Sequence, residues 1–296
     1  MRRPLALVAL SAVACGAVPA QAQTVALAFH KGDVYKYSFH SVSTEDISTG
    51  AMAVPISTDV SAKETVTVQS VDSGGVADLS VALSNLAITS KANGVTNTTS
   101  GLAQFSLAIK IAADGRILSV NGFSITGGSG MGMGSLGSGA TLVSAVLPDT
   151  PVKPGDTWSK DYDQTDPLGT GTIHVTTKSK YLRDESFQGI SAAVIETTSA
   201  TSIDVTLDPS KLVPPTSTPG MPTIPKNGFP GVSIKGSSSS DVTSWIDPNG
   251  HRILKSHMTG TTNDNATVAA DSGSTMPGLT GPMAIKITDT TDLLPA

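Results

Sequence analysis

Hydrophobic and polar residues alternate with a period of two along much of the chain. Leu79, Val81 and Leu83 share one side of this alternation, and the segment from Phe105 to Ile111 repeats it. In the C-terminal part of the chain, residues 202–207 alternate in the same way. A period of two places every second side chain on the same face of a strand. The pattern therefore predicts an all-β protein built from antiparallel sheets, each apolar on one face and polar on the other.

Two segments that begin predicted strands have closely matching sequences. Residues 31–39 read KGDVYKYSF and residues 154–162 read PGDTWSKDY. In each segment a Gly-Asp turn precedes two aromatic residues four positions apart. These are Tyr35 and Phe39 in the first segment, and Trp158 and Tyr162 in the second. Residues four apart on a strand share a face, so each strand is predicted to begin with a stripe of two aromatic side chains.

A second pair of matching segments follows in the same order. IAADGRILSVNG at 111–122 corresponds to WIDPNGHRILKSHMTG at 245–260. Each contains a hairpin signal, Asp114-Gly115 or Asn249-Gly250, whose two central residues favour positive φ. The spacing from the Asp of the Gly-Asp turn to the Gly of the hairpin is 82 residues in the first case (33 to 115) and 94 in the second (156 to 250). Two matches in the same order indicate a tandem duplication.

The duplication divides the chain into a signal peptide at 1–22, an N-terminal β repeat at 23–147 and a C-terminal β repeat at 148–296. The C-terminal repeat contains a predicted Pro-rich loop at 208–240, and residues 50–62 form a predicted loop in the N-terminal repeat. The expected fold is two related antiparallel, curved-sheet halves, half-barrel or sandwich-like. At most one short helix is expected at the junction, at 140–147. Whether the halves share one barrel or form two packed sheets is open at this stage.

The first residues have the organisation of a secretory signal. Arg2 and Arg3 provide a positive start, residues 5–14 are apolar, and Ala20-Gln21-Ala22 fits the small-x-small cleavage rule. We expect cleavage after Ala22 and a secreted, periplasmic or cell-envelope location. Cys15, the only cysteine, allows a second interpretation in which it carries a lipid anchor. The sequence favours this less, because the three preceding residues lack the leucine usual before a lipidated cysteine.

Charge and hydropathy exclude two classes of partner. Removing the two signal arginines from the 19 Lys+Arg, set against 24 Asp+Glu, leaves a net charge of −7. An acidic chain without a basic run repels phosphate backbones, so nucleic acid is not an expected partner. No segment after the signal reaches the roughly 20 apolar residues that a membrane-spanning helix needs.

Nucleophile and nucleotide motifs are weak or absent. Gly132, Gly134 and Gly137 match GxGxxG, but their flanks lack the βαβ unit that a dinucleotide site requires. No GxSxG nucleophile turn is present. The single cysteine is predicted to be lost with the signal. The sequence therefore predicts no cofactor and no enzyme activity.

Candidate metal ligands do not form a recognisable motif. No HExxH is present, and no two histidines have tight metal-ligand spacing. Asp161, Asp163 and Asp166 form an acidic cluster of the kind that holds calcium, but a solvated turn explains it better because a calcium loop's glycine and distal glutamate are missing. The five histidines are predicted to be structural or solvated, and no metal site is predicted. The histidines are His30, His40, His174, His251 and His257.

The four aromatic residues that follow the two Gly-Asp turns have two interpretations. Tyr35, Phe39, Trp158 and Tyr162 are the candidate ligand-binding residues, because they would line a cleft between the sheets. Alternatively, they anchor the core where each sheet begins, which is the common fate of aromatic side chains in β-proteins.

The Gly-Asp-x-Trp/Tyr strand starts, the segment PDTPVKPGDTW at 148–158 and the Asp-Gly-Arg hairpin together resemble a family of exported bacterial proteins of unknown function, many of them lipoproteins. The WIDPNGHR hairpin at 245–252 also has a pattern similar to that of LolA-like half-barrel lipid carriers. The first resemblance implies export and offers no catalytic residues. The second implies a curved sheet that surrounds lipid chains.

These observations favour an exported, non-catalytic envelope protein that binds a lipid-like or other apolar molecule between its sheets. A structural or interaction protein of the cell surface with a closed core is the alternative. A glycan-acting enzyme is the third interpretation, and it is the least favoured because few aromatics are present to stack on a sugar.

Overall fold

A computed structural model describes residues 21–49, 52–102, 105–125, 144–164, 169–207, 232–268 and 282–296. The described residues contain strands and connecting segments, and none of them is helical. The strands are β1 (Val34–Thr49), β2 (Met52–Val71), β3 (Ala77–Ala92), β4 (Val95–Leu102), β5 (Phe105–Ile111), β6 (Ile117–Ile125), β7 (Thr157–Gln164), β8 (Gly169–Phe187), β9 (Ile190–Leu207), β10 (Val232–Asp247), β11 (Arg252–Val268) and β12 (Met283–Pro295). The prediction of an all-β fold is confirmed.

All twelve strands belong to one antiparallel sheet. Its order is β6-β5-β3-β2-β1-β12-β11-β10-β9-β8-β7, and β4 also pairs with β3. Strand β4 pairs with the second half of β3 and β5 with the first half, so the two act as one interrupted strand. The edge strands β6 and β7 approach each other. The sheet is therefore barrel-like and nearly closed, and the two repeats share it rather than forming two packed sheets.

The two Gly-Asp turns have the same pattern of backbone hydrogen bonds. Gly32 and Gly155 adopt φ of 94° and 98°, a region that favours glycine. In both turns the Gly N–H donates a hydrogen bond to the carbonyl of a residue on the second strand of its repeat. The N–H of that residue donates in return to the carbonyl of the Asp that follows the Gly. The pairs are Gly32 N with Val68 O, Val68 N with Asp33 O, Gly155 N with Tyr181 O and Tyr181 N with Asp156 O.

Two irregular segments cover the end of the sheet at which β1 and β7 begin, which we call the capped end. The leading segment, residues 23–28, precedes the first Gly-Asp turn, and the linking segment, residues 144–152, precedes the second. Gln23 and Val152 join them through two backbone hydrogen bonds of 2.8 and 2.9 Å. Leu27 and Leu147 are 3% and 0% exposed, so each segment contributes apolar side chains to the core. The opposite end of the sheet is called the distal end below.

The predicted loops and helix differ from the structure where it describes them. Residues 52–62 belong to β2, because Val54, Ile56 and Val60 continue its alternating inner face. Pro55 is tolerated in this strand because it lies just before the pairing of β2 with β3 begins at Ile56, where only one neighbouring strand is present. Of the predicted Pro-rich loop, residues 232–240 form part of β10 and residues 208–231 lie outside the described residues. Residues 144–147 of the candidate helix are not helical, and 140–143 are not described.

The hairpin turns differ in detail from the prediction that two central residues of each have positive φ. In the first turn only Gly115 does, and in the second only His251 does. The reason in the second turn is the Asp247 carboxylate, whose Oδ1 accepts hydrogen bonds from the backbone N–H groups of Asn249 and Gly250. This interaction makes the turn longer and moves the left-handed residue to position 251.

Within the part of the chain that the structure describes, no helix has the length and apolar character to cross a membrane.

Candidate functional site in the sheet interior

The interior at the capped end is filled by side chains. Leu79, Ile109, Ile195 and Leu293 are among its fully buried residues. A cavity of about 10 Å³ lies between Tyr35, Tyr37 and Arg252 and neighbouring apolar residues. This volume accommodates about one water molecule. The capped end therefore has no room for a ligand at this position.

The structure places the first predicted aromatic pair in the core of the capped end. Phe39 is 3% exposed. Tyr35 is half-buried, and its hydroxyl donates a hydrogen bond of 3.1 Å to Oδ2 of Asp33 in the launching turn. Burial raises the pKa of Tyr35 to about 12, and the Asp33 carboxylate adds to this shift. These contacts are those of a core anchor.

The second predicted pair stabilises the linking segment and the edge of the sheet. The indole Nε1 of Trp158 donates a hydrogen bond of 2.9 Å to the carbonyl of Val146. The guanidinium of Arg116 lies 5.2 Å from the centre of the Tyr162 ring. Five strands, β12 to β8, separate β7 from β1, so the two aromatic pairs occupy different parts of the sheet. A ligand-binding role for the four aromatics stays a prediction.

An ion-pair cluster centred on the nearly buried Lys160 and Asp114 connects β7 to the turn between β5 and β6. The ammonium of Lys160, 12% exposed, lies 2.5 Å from Asp114 and 2.6 Å from Asp149. Arg116 also contacts Asp114, at 2.7 Å. Burial acts to raise the pKa of Asp114, but the hydrogen bonds from Lys160 and Arg116 outweigh burial and lower it. The cluster holds the two edges of the sheet together.

A row of small polar residues, which we call the polar belt, crosses the inner face of the sheet. Each member is the register partner of the next on the neighbouring strand, from β7 through β8, β9, β10, β11, β12, β1 and β2 to β3. The belt consists of Lys160, Thr177, Ser199, Ser240, Gly260, Asp289, Ser43, Thr58 and Ser90. The sequence shows these residues as unremarkable polar positions, because the row becomes visible only once the strand register is known.

Buried hydroxyls between the belt and the capped end hold the linking segment. The N–H of Ala145 donates to Oγ of Ser244, and the N–H of Val146 donates to Oγ1 of Thr197, both at 2.9 Å. Ser179 and Ser256 share further hydrogen bonds with these two hydroxyls, at 2.8 and 2.9 Å. Buried polar groups need such partners. The linking segment is therefore attached through side chains of β9 and β10, which side chains of β8 and β11 support in turn.

The inner face is less buried between the belt and the distal end than at the capped end. Six apolar side chains in this distal part lie on the same face as the core but are only half-buried, whereas the apolar side chains at the capped end are almost fully buried. The six are Ile47, Ile173, Ile203, Ile234, Met283 and Ile285. Val175, Val205 and Ile287 on the same face are 6%, 4% and 6% exposed. This half-buried apolar surface is the candidate binding site.

Three carboxylates also lie on the inner face near or beyond the belt. Burial raises the pKa of Glu45, Asp264 and Asp289. Among the described residues none of the three forms an ion pair, and Oδ1 of Asp264 has no hydrogen-bond partner. Sequence reasoning missed these residues because an Asp or Glu in an alternating strand looks like part of the solvated face.

The histidines lie apart from this site. His174 is on the exposed outer face of β8, where its Nε2 lies 2.9 Å from Asp161 and its Nδ1 lies 2.8 Å from Asp163. The hydrogen bond to Asp163, followed by the charge of Asp161, raises the pKa of His174. Asp166 lies outside the described residues. Within the described ranges no group of three or more His, Cys, Asp or Glu residues has the arrangement of a metal site.

These features define a class of protein: a barrel-like, all-β antiparallel sheet with one capped end and a half-buried apolar inner face at the other. No protein-family model matches the chain, and no curated protein matches it. Among solved structures the chain is similar to DynF from the dynemicin biosynthesis pathway of Micromonospora chersina. The identity is 9%, the match covers 99% of this chain and 92% of that chain, and the TM-score is 0.25. A superposition this loose supports no conclusion about function.

Proposed function

We propose that the mature protein is an exported, non-catalytic protein of the cell envelope that binds a lipid-like, apolar molecule on the inner face at the distal end. The single observation that carries this proposal is the half-buried row of Ile47, Ile173, Ile203 and Ile285 inside an otherwise covered sheet. Covering such a surface stabilises a complex by roughly 25 cal/mol per Å² of apolar area. The isoleucines form two register pairs, Ile173 with Ile203 and Ile47 with Ile285, and each pair offers apolar surface for an alkyl chain. Gly236 and Asp264 lie between the two pairs in the same row.

The contacts of Gln23 support the export part of the proposal. Gln21 and Ala22 are exposed, whereas Gln23 pairs with Val152 and its side chain donates a 3.1 Å hydrogen bond to Asp184. Cleavage after Ala22 therefore leaves intact the contacts that the leading segment makes with the rest of the described residues. Mass measurement of the protein recovered from fractionated cells tests this. We expect a mature chain that begins at Gln23 in the envelope or secreted fraction, whereas an acylated chain that begins at Cys15 supports lipid anchoring.

The filled core of the capped end favours the second candidate, a structural or interaction protein with a closed interior. Its cavity of about 10 Å³ holds no lipid. The two candidates differ at the distal end only, because a closed interior there leaves no surface for a ligand. Ligand binding at that end is therefore the decisive measurement.

Delipidated mature protein is titrated with N-phenyl-1-naphthylamine, an uncharged probe that fluoresces in apolar surroundings, and is separately mixed with envelope lipid extract for native mass spectrometry. We expect saturable fluorescence and a retained lipid. Ile203→Trp fills the site with a larger apolar side chain, and Ser202→Trp places the same side chain on the outer face as a control. Ile203→Trp is expected to weaken probe binding at least about tenfold with little change for Ser202→Trp. Absence of binding, or equal effects of the two variants, contradicts the proposal.

A further inference from the structure

Three carboxylates face the candidate binding site from three neighbouring strands. Glu45 lies on β1, Asp289 on β12 and Asp264 on β11, and these strands are adjacent in the sheet. Ser43 is the register partner of Asp289 and Ile287 is that of Glu45, so Glu45 and Asp289 are diagonal neighbours on one face. Ile285, the partner of Asp264, belongs to the half-buried apolar row. Carboxylates and isoleucines therefore share the same surface.

Two glycines let the aspartates lie across the neighbouring strand. A Cβ atom added to Gly260 would stand 2.6 Å from Oδ1 of Asp289, which is closer than such atoms come in proteins. A Cβ atom on Gly236 would collide with Oδ1 of Asp264 in the same way. The same arrangement occurs twice, at adjacent strand pairs, on the inner face. Each aspartate carboxylate therefore occupies space on the neighbouring strand that any residue other than glycine would fill with its side chain.

The inner face near these carboxylates has little positive charge to balance them. In the belt and the distal part of the described strands, Lys160 is the cation on this face, and Asp114 and Asp149 already bind its ammonium. Lys235 and Lys286 lie on the outer face, next to Ile234 and Ile285 in the alternation. The candidate site consequently combines apolar surface with carboxylates that lack a cationic partner among the described residues.

We propose that the molecule bound at the distal end is a cationic amphiphile, with an ammonium group against Glu45, Asp264 and Asp289 and an alkyl chain along the half-buried isoleucines. This inference rests on the proposed function and adds the charge class of the ligand. Electrostatic complementarity carries it: a partly buried carboxylate without a partner is stabilised by a ligand cation, whereas an anionic lipid is repelled. A bound cation would also balance the charge that these carboxylates place on an apolar interior surface.

The test is a calorimetric titration of the full mature chain with three probes that share a ten-carbon chain, each below its micelle concentration. The probes are decyltrimethylammonium, decyl maltoside and decanoate. We expect the cation to bind about tenfold more tightly than the neutral maltoside, and decanoate to bind most weakly. Glu45→Gln and Asp289→Asn are each expected to reduce the preference for the cation about threefold or more. Asp46→Asn, on the outer face beside Glu45, is expected to leave it unchanged.

The outcomes separate this inference from the proposed function. Equal affinities for the cation and the maltoside, or equal effects of Glu45→Gln and Asp46→Asn, overturn the cationic ligand and leave an apolar site standing. Failure of all three probes to bind overturns both. A thermal unfolding midpoint close to that of the natural sequence verifies that each variant is folded, because Glu45→Gln and Asp289→Asn preserve side-chain shape.

Discussion

The ammonium of Lys160 on β7 lies 2.5 Å from Oδ2 of Asp114 in the turn between β5 and β6. This contact joins the two repeats at the place where the sheet would otherwise have two free edges. Both side chains are nearly buried, at 12% and 11% exposed. Removing Lys160 takes one of two cations from Asp114, because the Arg116 guanidinium also lies 2.7 Å from this carboxylate.

We predict that Lys160→Met lowers the free energy of unfolding by roughly 1–3 kcal/mol, because its hydrogen bonds to Asp114 are lost while Arg116 still pairs with that carboxylate. Lys178→Met, which removes an exposed lysine from the outer face of β8, is expected to change it by less than about 0.5 kcal/mol. Urea unfolding followed by circular dichroism measures both. Similar values for the two variants would show that the ion pair contributes little to closure of the sheet.

The same pair predicts a loss of stability in acid. The pKa of Asp114 is lowered in the folded protein, so its folded state binds fewer protons than its unfolded state. The stabilisation is therefore present above the unfolded pKa of about 3.9 and is lost as the pH falls through the lowered folded value. The free energy of unfolding, measured with urea between pH 2 and pH 6, should fall with decreasing pH in the natural sequence and fall less steeply in Asp114→Asn. The same dependence on pH in both proteins would contradict a lowered pKa of Asp114.

Gly115 and Gly189 offer a matched test of how the linking segment packs. Their φ values are 82° and 81°, so alanine is strained equally at both positions. An added Cβ at Gly115 would lie 2.6 Å from the carbonyl oxygen of Ala145, whereas nothing lies within 4 Å at Gly189. We expect Gly189→Ala to cost about 1 kcal/mol and Gly115→Ala roughly 2–4 kcal/mol in thermal unfolding. Equal costs would mean that the linking segment moves away freely.

The alternation of residues was enough to predict the all-β fold, and the Gly-Asp segments were enough to predict the turns before β1 and β7, whereas the tandem relationship of the two halves stays a prediction. Both signals are local, since a period of two and a turn glycine are visible in short windows of sequence. The start of β2 was missed because Pro55 and the small polar residues around it look like a loop. The sequence contains no sign that β2 has a single neighbour there.

The interior features could not be predicted because they depend on strand register. The polar belt joins residues from Ser43 to Ser240 that are distant in sequence, and a shift of one residue would turn any member to the outer face. The leading and linking segments have no periodic pattern. Their burial depends on hydroxyls such as those of Thr197 and Ser244, which only the folded sheet brings together.

Glu64 provides a prediction with the opposite sign to Asp114. Its side chain is 1% exposed, and neither carboxylate oxygen has a hydrogen-bond partner among the described residues. Burial raises its pKa to about 8. The folded state therefore holds the proton more tightly than the unfolded state, whose pKa is near 4.5, so stability falls as the pH rises from about 4.5 to 8.

We predict that Glu64→Gln is more stable than the natural sequence by roughly 1–3 kcal/mol at pH 8 and about equal to it at pH 4. Urea unfolding at the two pH values measures the difference. Glu196→Gln, on the exposed face of β9, serves as the control and should show no such pH-dependent gain. A variant that is less stable than the natural sequence at pH 8 would indicate that the carboxylate is paired.

The hydroxyls that hold the linking segment give the last prediction. Thr197→Val and Ser244→Ala remove the acceptors of the Val146 and Ala145 N–H groups with little change in shape, and each leaves a buried donor unpaired. We expect a loss of about 1–3 kcal/mol for each variant and faster hydrogen exchange at Ala145 and Val146. Because the two hydroxyls hold adjacent residues of the linking segment, the double variant is expected to lose less than the sum. Ser202→Ala, on the outer face, is the control for both measurements. Unchanged exchange at Ala145 and Val146 would mean that packing alone holds the linking segment, and the hydroxyls would then have no part in capping the sheet.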